Sequence, residues 1–502
     1  MKILSAEDIK LWDQFTIQNE PVTSINLMER AANKCVEWLE KQEYSGKHFS
    51  IYCGMGNNGG DGLAIARLLA DRKFFVSVYV LETRNKRTDD FMTNLQRLQS
   101  NKKVVIKFIS SEKDFAKINS GEIIIDALLG SGLNRPLEGL TSKLVTHINH
   151  SGCEIISIDI PSGLFVEKSS KGNPVIHAKH TLSFQCLKMA FLFPENATAI
   201  GIVHILDIGL HPQFYENVFS RYQLIEAGLI KNIYQPREIF AHKGSFGHAA
   251  IVAGSTGMMG AATLCAKASL RSGAGKLTCY VPKTGYEIMQ TSVPEAMSRI
   301  SGTKDYIELA DGISEFDSVA IGPGIGINEH TIGLLKSVLQ QCKNPIVIDA
   351  DALNILASNL SFFMDIPPYS ILTPHKKEFE RLFGKSENQF DQVNLAEQKA
   401  KELNVVIILK GHYSFIATPD KGGYFNSTGN AGMATGGSGD VLTGILAGLL
   451  AQKYSPVEAA ILGVYLHGVA GDLAAEKFSE EAMVAGDIID CLGDAFKKIS
   501  GD

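Results

Sequence analysis

Asn426 to Leu450 reads NSTGNAGMATGGSGDVLTGILAGLL, and the architecture of the chain turns on this stretch. Its centre, Thr435-Gly436-Gly437-Ser438-Gly439-Asp440, sets three glycines and one carboxylate between a polar turn and an apolar helical run. Glycine lets successive backbone N–H groups turn toward an anion, and the following helix aims its positive end at the same point. Asp440 stands where loop becomes helix, placed either to cap that helix or to accept a proton from a bound hydroxyl. An anion hole beside a base is what phosphoryl transfer to an alcohol requires. A plain glycine-rich turn with an aspartate cap has the same sequence, so the surrounding chain must decide.

Four upstream segments line up with this loop. VAIGPGIG (Val319 to Gly326) is a strand ending in a Gly-Pro-Gly turn, and IVIDADAL (Ile346 to Leu353) a strand ending in two aspartates. SILTPHKKEF (Ser370 to Phe379) runs from strand through a Thr-Pro-His turn into a helix, and VVIILKGH (Val405 to His412) ends in lysine and glycine. Strands alternating with helices predict a mostly parallel sheet with its functional loops on one edge. Lys410 suits a nucleotide phosphate. Asp349 or Asp351 suits Mg2+ held through water, and His375 and Glu378, three apart at a helix start, share a face. Further upstream stand HKGSFGH (His242 to His248), a strand from Ala249 to Ala253, and a helix rich in small residues from Gly260 to Arg271.

The first half repeats the alternation. Residues 1 to about 45 read as two amphipathic helices, the first started by Ser5-Ala6-Glu7-Asp8, and suggest a packing arm or subunit interface. The strand His48 to Cys53 then enters GMGNNGGDG (Gly54 to Gly62) and the helix LAIARLLADR, the opening unit of a nucleotide-binding α/β sheet. Asn57 and Asn58 can offer carbonyls to a hard cation or amides to phosphate, and Asp61 reads as a helix cap. Strands are expected at 74–81, 104–109, 122–129, 154–160 and 201–208. Two of them deliver Asp126 and Asp159 with Gly/Ser loops to the sheet edge where such folds bind ligands. Residues 212–240, with Gln235-Pro236-Arg237, read as a connection between domains.

Bulk properties narrow the classes. A chain of 502 residues exceeds the usual single core, which predicts two domains. The net charge of −6 speaks against a nucleic-acid or anionic-membrane partner. Eight cysteines without a CxxC pair suit a reducing compartment. The start, MKILSAEDIKLWDQ, lacks a signal-peptide core, and no uninterrupted apolar run reaches membrane-spanning length. A cytoplasmic enzyme, homo-oligomeric through its helical arm, is the expectation.

GMGNNGGDG, DALLGSGLNRPLEG and SIDIPSGL, with the helical N-terminus, resemble the NAD(P)H-hydrate epimerase domain. The resemblance implies a K+ site of oxygen ligands at Asn58, Asp126 and Ser162, with backbone carbonyls near Leu129. It also implies Asp159 against the hydrated nicotinamide ring as the proton shuttle. Asn57, Asn58, Gly59, Gly60 and Asp61 become the phosphate-holding loop. Gly130, Ser131, Gly132, Leu133, Asn134, Arg135 and Pro136 become the substrate wall. The chain departs from the family pattern at Leu164-Phe165-Val166.

HKGSFG, GPGIG, DADAL, TPHKKEF, LKGH and GGSGD resemble the ADP/ATP-dependent NAD(P)H-hydrate dehydratases, which have a ribokinase-like fold. That resemblance implies nucleotide contacts from Lys410, Gly411, His412, Tyr413, Ser414 and Gly439. It implies substrate contacts from Ala261, Gly324, His375 and Asp440, with Asp440 as catalytic base. The expected architecture is α/β with two domains, a Rossmann-like mostly parallel sheet over 1–220 and a ribokinase-like α/β/α sandwich over 225–502. The combination is that of bifunctional repair enzymes, which epimerise R and S hydrates of NADH and NADPH and dehydrate the S form by phosphorylation and elimination. K+ would serve the first site and Mg2+ the second, with ADP as co-substrate and ATP as the alternative. The rival expectation is a kinase of a small hydroxymethyl compound, which would release a stable phosphorylated product.

Overall fold

The computed structural model describes residues 1–502 except 83–86, 102, 103, 421 and 502. Two units separate, one of Lys2–Ser220 with Asn388–Phe390, the other of Arg221–Glu387 and Asp391–Asp502 with Met1.

In the first unit the strands are β1 (His48–Cys53), β2 (Phe75–Leu81), β3 (Val105–Ile109), β4 (Ile123–Ala127), β5 (Glu154–Ile158), β6 (His180–Phe184) and β7 (Ile202–Leu206). They lie in the order β3-β2-β1-β4-β5-β6-β7, each neighbour parallel. The chain starts in the middle, builds one half, then returns past β1 to build the other. That reversal between β1 and β4 leaves a crevice at the strand carboxyl ends. Helices α1 (Ala6–Asn19), α2 (Ser24–Glu40) and α3 (Asn57–Asp71) are positioned by their apolar stripes, α2 burying Leu27, Met28, Ala31, Ala32, Cys35, Val36 and Leu39. β4 and β5 stop two residues short of expectation, so that the chain can turn at Leu128 and Asp159 toward the crevice. β6, HTLSF, was not expected; its polar Thr181 satisfies itself on the Ile200 carbonyl.

The second unit holds β8 (Tyr222–Leu224), β9 (His248–Val252), β10 (Lys276–Val281), β11 (Met297–Ile300), β12 (Ser318–Ile321), β13 (Ile346–Ile348), β14 (Ile371–Leu372), β15 (Val406–Leu409), β16 (Ser414–Ala417) and β17 (Gly423–Asn426). Their order is β8-β17-β16-β15-β14-β13-β12-β9-β10-β11. From β15 to β11 the pairing is parallel; β16 and β17 form an antiparallel hairpin beside β15. β8 lies inside the segment expected to be a bare connection, because YQL finds a parallel partner in β17.

Helices α4 (Met259–Arg271), α5 (Ala350–Ser358), α6 (Lys376–Phe383), α7 (Ser438–Ala451), α8 (Pro456–Phe478) and α9 (Ala485–Ser500) flank this sheet. The small residues of α4 admit α7 so closely that a Cβ on Gly444 would lie 2.1 Å from the Cys265 carbonyl oxygen. Among the described residues α8 is the one helix long and apolar enough to cross a membrane. About two thirds (67%) of its apolar window is buried inside the unit, so it serves as a core helix.

Candidate active sites

The crevice of the first unit is a cavity of about 600 Å3. Asn57, Asn58 and Asp61 line it from α3, Gly130 to Arg135 from the loop after β4, and Asp159 from the end of β5. α1, read from sequence as a packing arm, supplies Ala6, Ile9, Lys10 and Asp13 to the same wall. Gly59, Gly60 and Pro136 are not among the lining residues. A Cβ on Gly59 would stand 1.8 Å from the Gly54 carbonyl oxygen, and one on Gly60 2.8 Å from Met28 Sδ. Those two glycines seat α3 on its scaffold. Asp61 does not cap the helix: α3 begins four residues earlier behind Gly56, leaving Asp61 buried in the second turn, where desolvation pushes its carboxyl well up.

Around Asp126 the oxygen donors close into a ring. Asp126 Oδ2 accepts from Ser157 Oγ and the Ser162 N–H, both at 2.8 Å, and Oδ1 accepts from the Leu128 N–H at 3.2 Å. Ser162 Oγ lies 2.6 Å from Asp126 Oδ1 and 3.1 Å from the Leu129 carbonyl oxygen. Asn58 is buried with neither its amide oxygen nor its nitrogen partnered. A buried amide left unsatisfied is costly unless an ion or ligand completes it. Gly130 is where the walls meet, since a Cβ there would be 3.1 Å from Asp159 Oδ2 and 3.3 Å from Asn58 Cβ.

Asp159 sits at φ 69°, a strained backbone for aspartate, with its carboxylate fixed on both sides. Lys188 Nζ is 2.8 Å from Oδ1, and the Ser131 N–H donates to Oδ2 at 3.0 Å. Burial alone would raise this carboxyl, but the Lys188 ammonium and these hydrogen bonds outweigh it and hold the group below its ordinary value. Lys188 is itself fully buried and donates to Ser183 Oγ at 2.6 Å. Sequence reasoning missed it; the available signal was one lysine inside the apolar run CLKMAFLF.

The second unit opens a cavity of about 700 Å3. His375, Lys410, Gly411, His412, Ser414 and Gly439 line it together with Asn430, Ser438 and His467. Tyr413, Ala261, Gly324 and Asp440 are not among its lining residues. The ring of Tyr413 turns edge-on to His412, with centroids 4.6 Å apart. Gly324 and Ala261 lie against each other, a Gly324 Cβ being 3.2 Å from that of Ala261. One turn further along α4, Leu264 approaches Gly437. Gly437, at φ 91°, is the N-cap of α7, with no side-chain capping bond. Asp440 is the third residue of α7, so the capping expectation fails.

Among the described residues the Asp440 carboxyl has no hydrogen bond or ion pair. Burial and then the Asp349 charge push it up to about 6, with Lys410 opposing and Asp351 adding to the rise. Lys410 Nζ pairs with Asp349 Oδ1 at 3.0 Å, while Thr443 Oγ1 donates to Oδ2 at 2.7 Å, so both Asp349 oxygens are taken. The two aspartates part company: Asp349 follows β13 as the N-cap residue of α5 without a side-chain capping bond, and Asp351, in the first turn of α5, accepts the Gly326 N–H at 2.9 Å. His375 caps α6 through Nδ1, accepting from the Lys377 N–H at 3.0 Å, and Glu378 reaches back to the His375 N–H at 2.8 Å. His467, which sequence reasoning missed, stands 3.3 Å from Ser438 Oγ, and burial lowers it to about 4, leaving it neutral. Among the described residues no three His, Cys, Asp or Glu side chains gather to hold a metal.

A doubly wound sheet with an oxygen-rich crevice, and a second sheet whose lysine faces a glycine-opened helix, define a two-part α/β enzyme. Its second unit is ribokinase-like: a ribokinase-like superfamily protein from Enterococcus faecalis V583 is 26% identical, covering 56% of this chain and 98% of its own, with a TM-score of 0.50. The family model described as NAD(P)H-hydrate dehydratase matches residues 249–493, and that described as YjeF-related protein N-terminus matches 24–190. The bifunctional NAD(P)H-hydrate repair enzyme of Moorella thermoacetica is 36% identical over 98% of this chain and 96% of its own. That of Escherichia coli is 32% identical over 97% and 92%. The chain belongs to the family of bifunctional NAD(P)H-hydrate repair enzymes.

Proposed function

We propose that the first unit interconverts the R and S hydrates of NADH and NADPH, and that the second dehydrates the S form at the expense of ADP, with ATP as the alternative donor. The observation that carries the reading is Asp440, a carboxyl without a partner at the glycine-opened start of α7, near Lys410 in the wall of a nucleotide-sized cavity.

Hydration leaves a hydroxyl on C6 of the nicotinamide ring, a poor leaving group. Asp440 takes its proton, and the freed oxygen attacks the terminal phosphorus of ADP as the bond to the bridging oxygen breaks and AMP departs. Lys410 and the first-turn N–H groups of α7, which have no partner within the helix, face the charge in transit. The ring nitrogen's lone pair then expels phosphate from C6, and loss of a C5 proton restores NADH. Mg2+, when bound, neutralises donor phosphate charge. Asp351 would hold it through water, since the Asp349 oxygens are occupied. At the first site the donors are all hard oxygens, and the unpartnered Asn58 amide fits K+ beside Asp126, Ser162 and the Leu129 carbonyl. Asp159 remains ionised there to move a proton.

The test is a mixture of both NADH-hydrate epimers with K+ and Mg2+, with and without ADP or ATP, following NADH recovery. Complete recovery that requires nucleotide is expected. Recovery stopping when one epimer is exhausted would remove the epimerase. No recovery, with a stable phosphorylated product from a small alcohol instead, would overturn the dehydratase.

A further inference from the structure

On the wall that α1 gives to the first cavity, Ala6, Ile9, Lys10 and Asp13 recur at helical spacing, so one face of the helix looks inward. Asp13 is the only carboxyl on that face. Among the described residues it makes no hydrogen bond and no ion pair. Asp159 lines the same cavity in the opposite condition, clamped by Lys188 at 2.8 Å and by the Ser131 N–H at 3.0 Å. Asp61, the third carboxyl of the lining, is buried in the second turn of α3, which leaves Asp159 fixed and Asp13 free on walls contributed by different elements.

We propose that Asp13 is the second catalytic carboxyl of this cavity, the acid that gives a proton to the C6 oxygen of the hydrated ring while Asp159 acts as the base. This rests on the reading of the cavity as the epimerase site. Inversion at C6 needs the hydroxyl to leave one face and return on the other. Asp13 donates its proton to the departing oxygen, the C6–O electron pair leaves with it as water, and the ring nitrogen's lone pair closes a C6–N double bond. Water then adds to the opposite face of C6, returning the pair to nitrogen and passing one proton to Asp159. Exchange of one proton with solvent from Asp159 to Asp13 restores the starting state, so nothing is oxidised and no group is consumed.

The surroundings favour that division of labour. Asp61 on α3, Asp159 and Lys188 face Asp13 from the other elements, and Lys10 lies on its own helix. Burial and then the Asp159 charge push Asp13 up to about 7, with the Lys188 ammonium opposing. Two carboxyls whose environments separate their proton affinities are what an acid and base sharing one substrate require. Asparagine at position 13 is isosteric and breaks no hydrogen bond, so the substitution tests the proton rather than the packing.

The experiment uses the full chain with one purified epimer of NADH hydrate and K+, without nucleotide, following the other epimer by chromatography. Asp13→Asn is expected to lower kcat by about 100-fold or more while KM stays within about two-fold. Its nucleotide-dependent dehydration of the S hydrate should be preserved, and its thermal unfolding temperature should not fall below that of the wild type. Asp13→Glu, which keeps a proton donor, should recover at least about a tenth of the rate. A kcat for Asp13→Asn within about two-fold of wild type would overturn the proposal. So would a change confined to KM, or an Asp13→Glu no better than Asp13→Asn. If the wild-type chain fails to interconvert the epimers, the epimerase reading itself falls, a result distinct from any of these.

Discussion

Removing one charge beside Asp440 should move the pH dependence of dehydration in a direction set by the structure. Asp440 stands at about 6, raised by burial and then by Asp349, with Asp351 a further contributor. As a base it must be ionised. About three quarters of the free enzyme is protonated at pH 5.5 but only a few per cent at pH 7.5, so kcat/KM should fall about four-fold between them. A carboxyl at its ordinary 3.8 would stay ionised over that range. Asp351→Asn keeps an oxygen for the Gly326 N–H while removing a charge that raises Asp440, so its acid limb should lie at lower pH. The assay is NADH recovery from the S hydrate with both substrates below their KM, so that the profile reports the enzyme before either binds. Titration of the substrates is common to both enzymes and cancels in their ratio. Coincident profiles, or a wild-type fall under two-fold, would refute the reasoning. The same shift has a stability counterpart. A raised folded-state value adds stability that is fully present below the unfolded value and lost as pH rises through about 6. Asp440→Asn should therefore stabilise the second unit above pH 7, with a ceiling of about 3 kcal/mol, and show no gain below about pH 4.

Two further substitutions probe the scaffolds. Lys188→Met strands the Asp159 carboxylate in a buried site, which should cost the first unit about 3–5 kcal/mol in urea unfolding and abolish epimerisation. Asp159→Asn in the same chain should return much of that stability without activity, and wild-type stability for Lys188→Met alone would mean the pair is better solvated than its burial indicates. Gly444→Ala forces α7 away from α4, where Cβ would meet the Cys265 carbonyl oxygen at 2.1 Å. A loss of more than about 2 kcal/mol and a larger loss of dehydration than of epimerisation are expected, and an unchanged melting profile would show the helices have room to part.

Much of both sites could be read in the sequence because it sits where apolar strands are broken by glycine and carboxylate. Asp126, Asp159 and Asp349 interrupt runs such as EIIID, SIDI and VIDA, and only a ligand, a partner or a loop amide explains a charge there. What escaped had no such contrast. β6, β8, β16 and β17 are only three to five residues long, and β6 and β8 acquire their strand character from partners that are distant in sequence. Asp61 was misread because GNNGGDG looks like a loop needing a cap, whereas its glycines allow helix packing that starts at Asn57. Asp13 and His467 sit on helices that look ordinary in sequence, and Lys188 in an apolar run. Only folding reveals that each faces a cavity or a charge.

The two units share a device that neither sequence pattern announced. In each, a lysine clamps one carboxylate, Lys188 on Asp159 at 2.8 Å and Lys410 on Asp349 at 3.0 Å. In each, a second, partly desolvated carboxyl is left with no hydrogen bond, Asp13 in the first and Asp440 in the second, and is raised in consequence. The clamped Asp159 carboxylate stays ionised and so can serve as a base. The unclamped one can take or give a proton near neutrality, which is the property general acid–base chemistry needs. In each unit the lysine limits how far the free group rises, and in the first it also holds Asp159 below its ordinary value. In the second unit that lysine also faces the nucleotide cavity. A donor phosphate drawn to Lys410 would compete with Asp349 for it, weakening the brake on Asp440 when the base is needed.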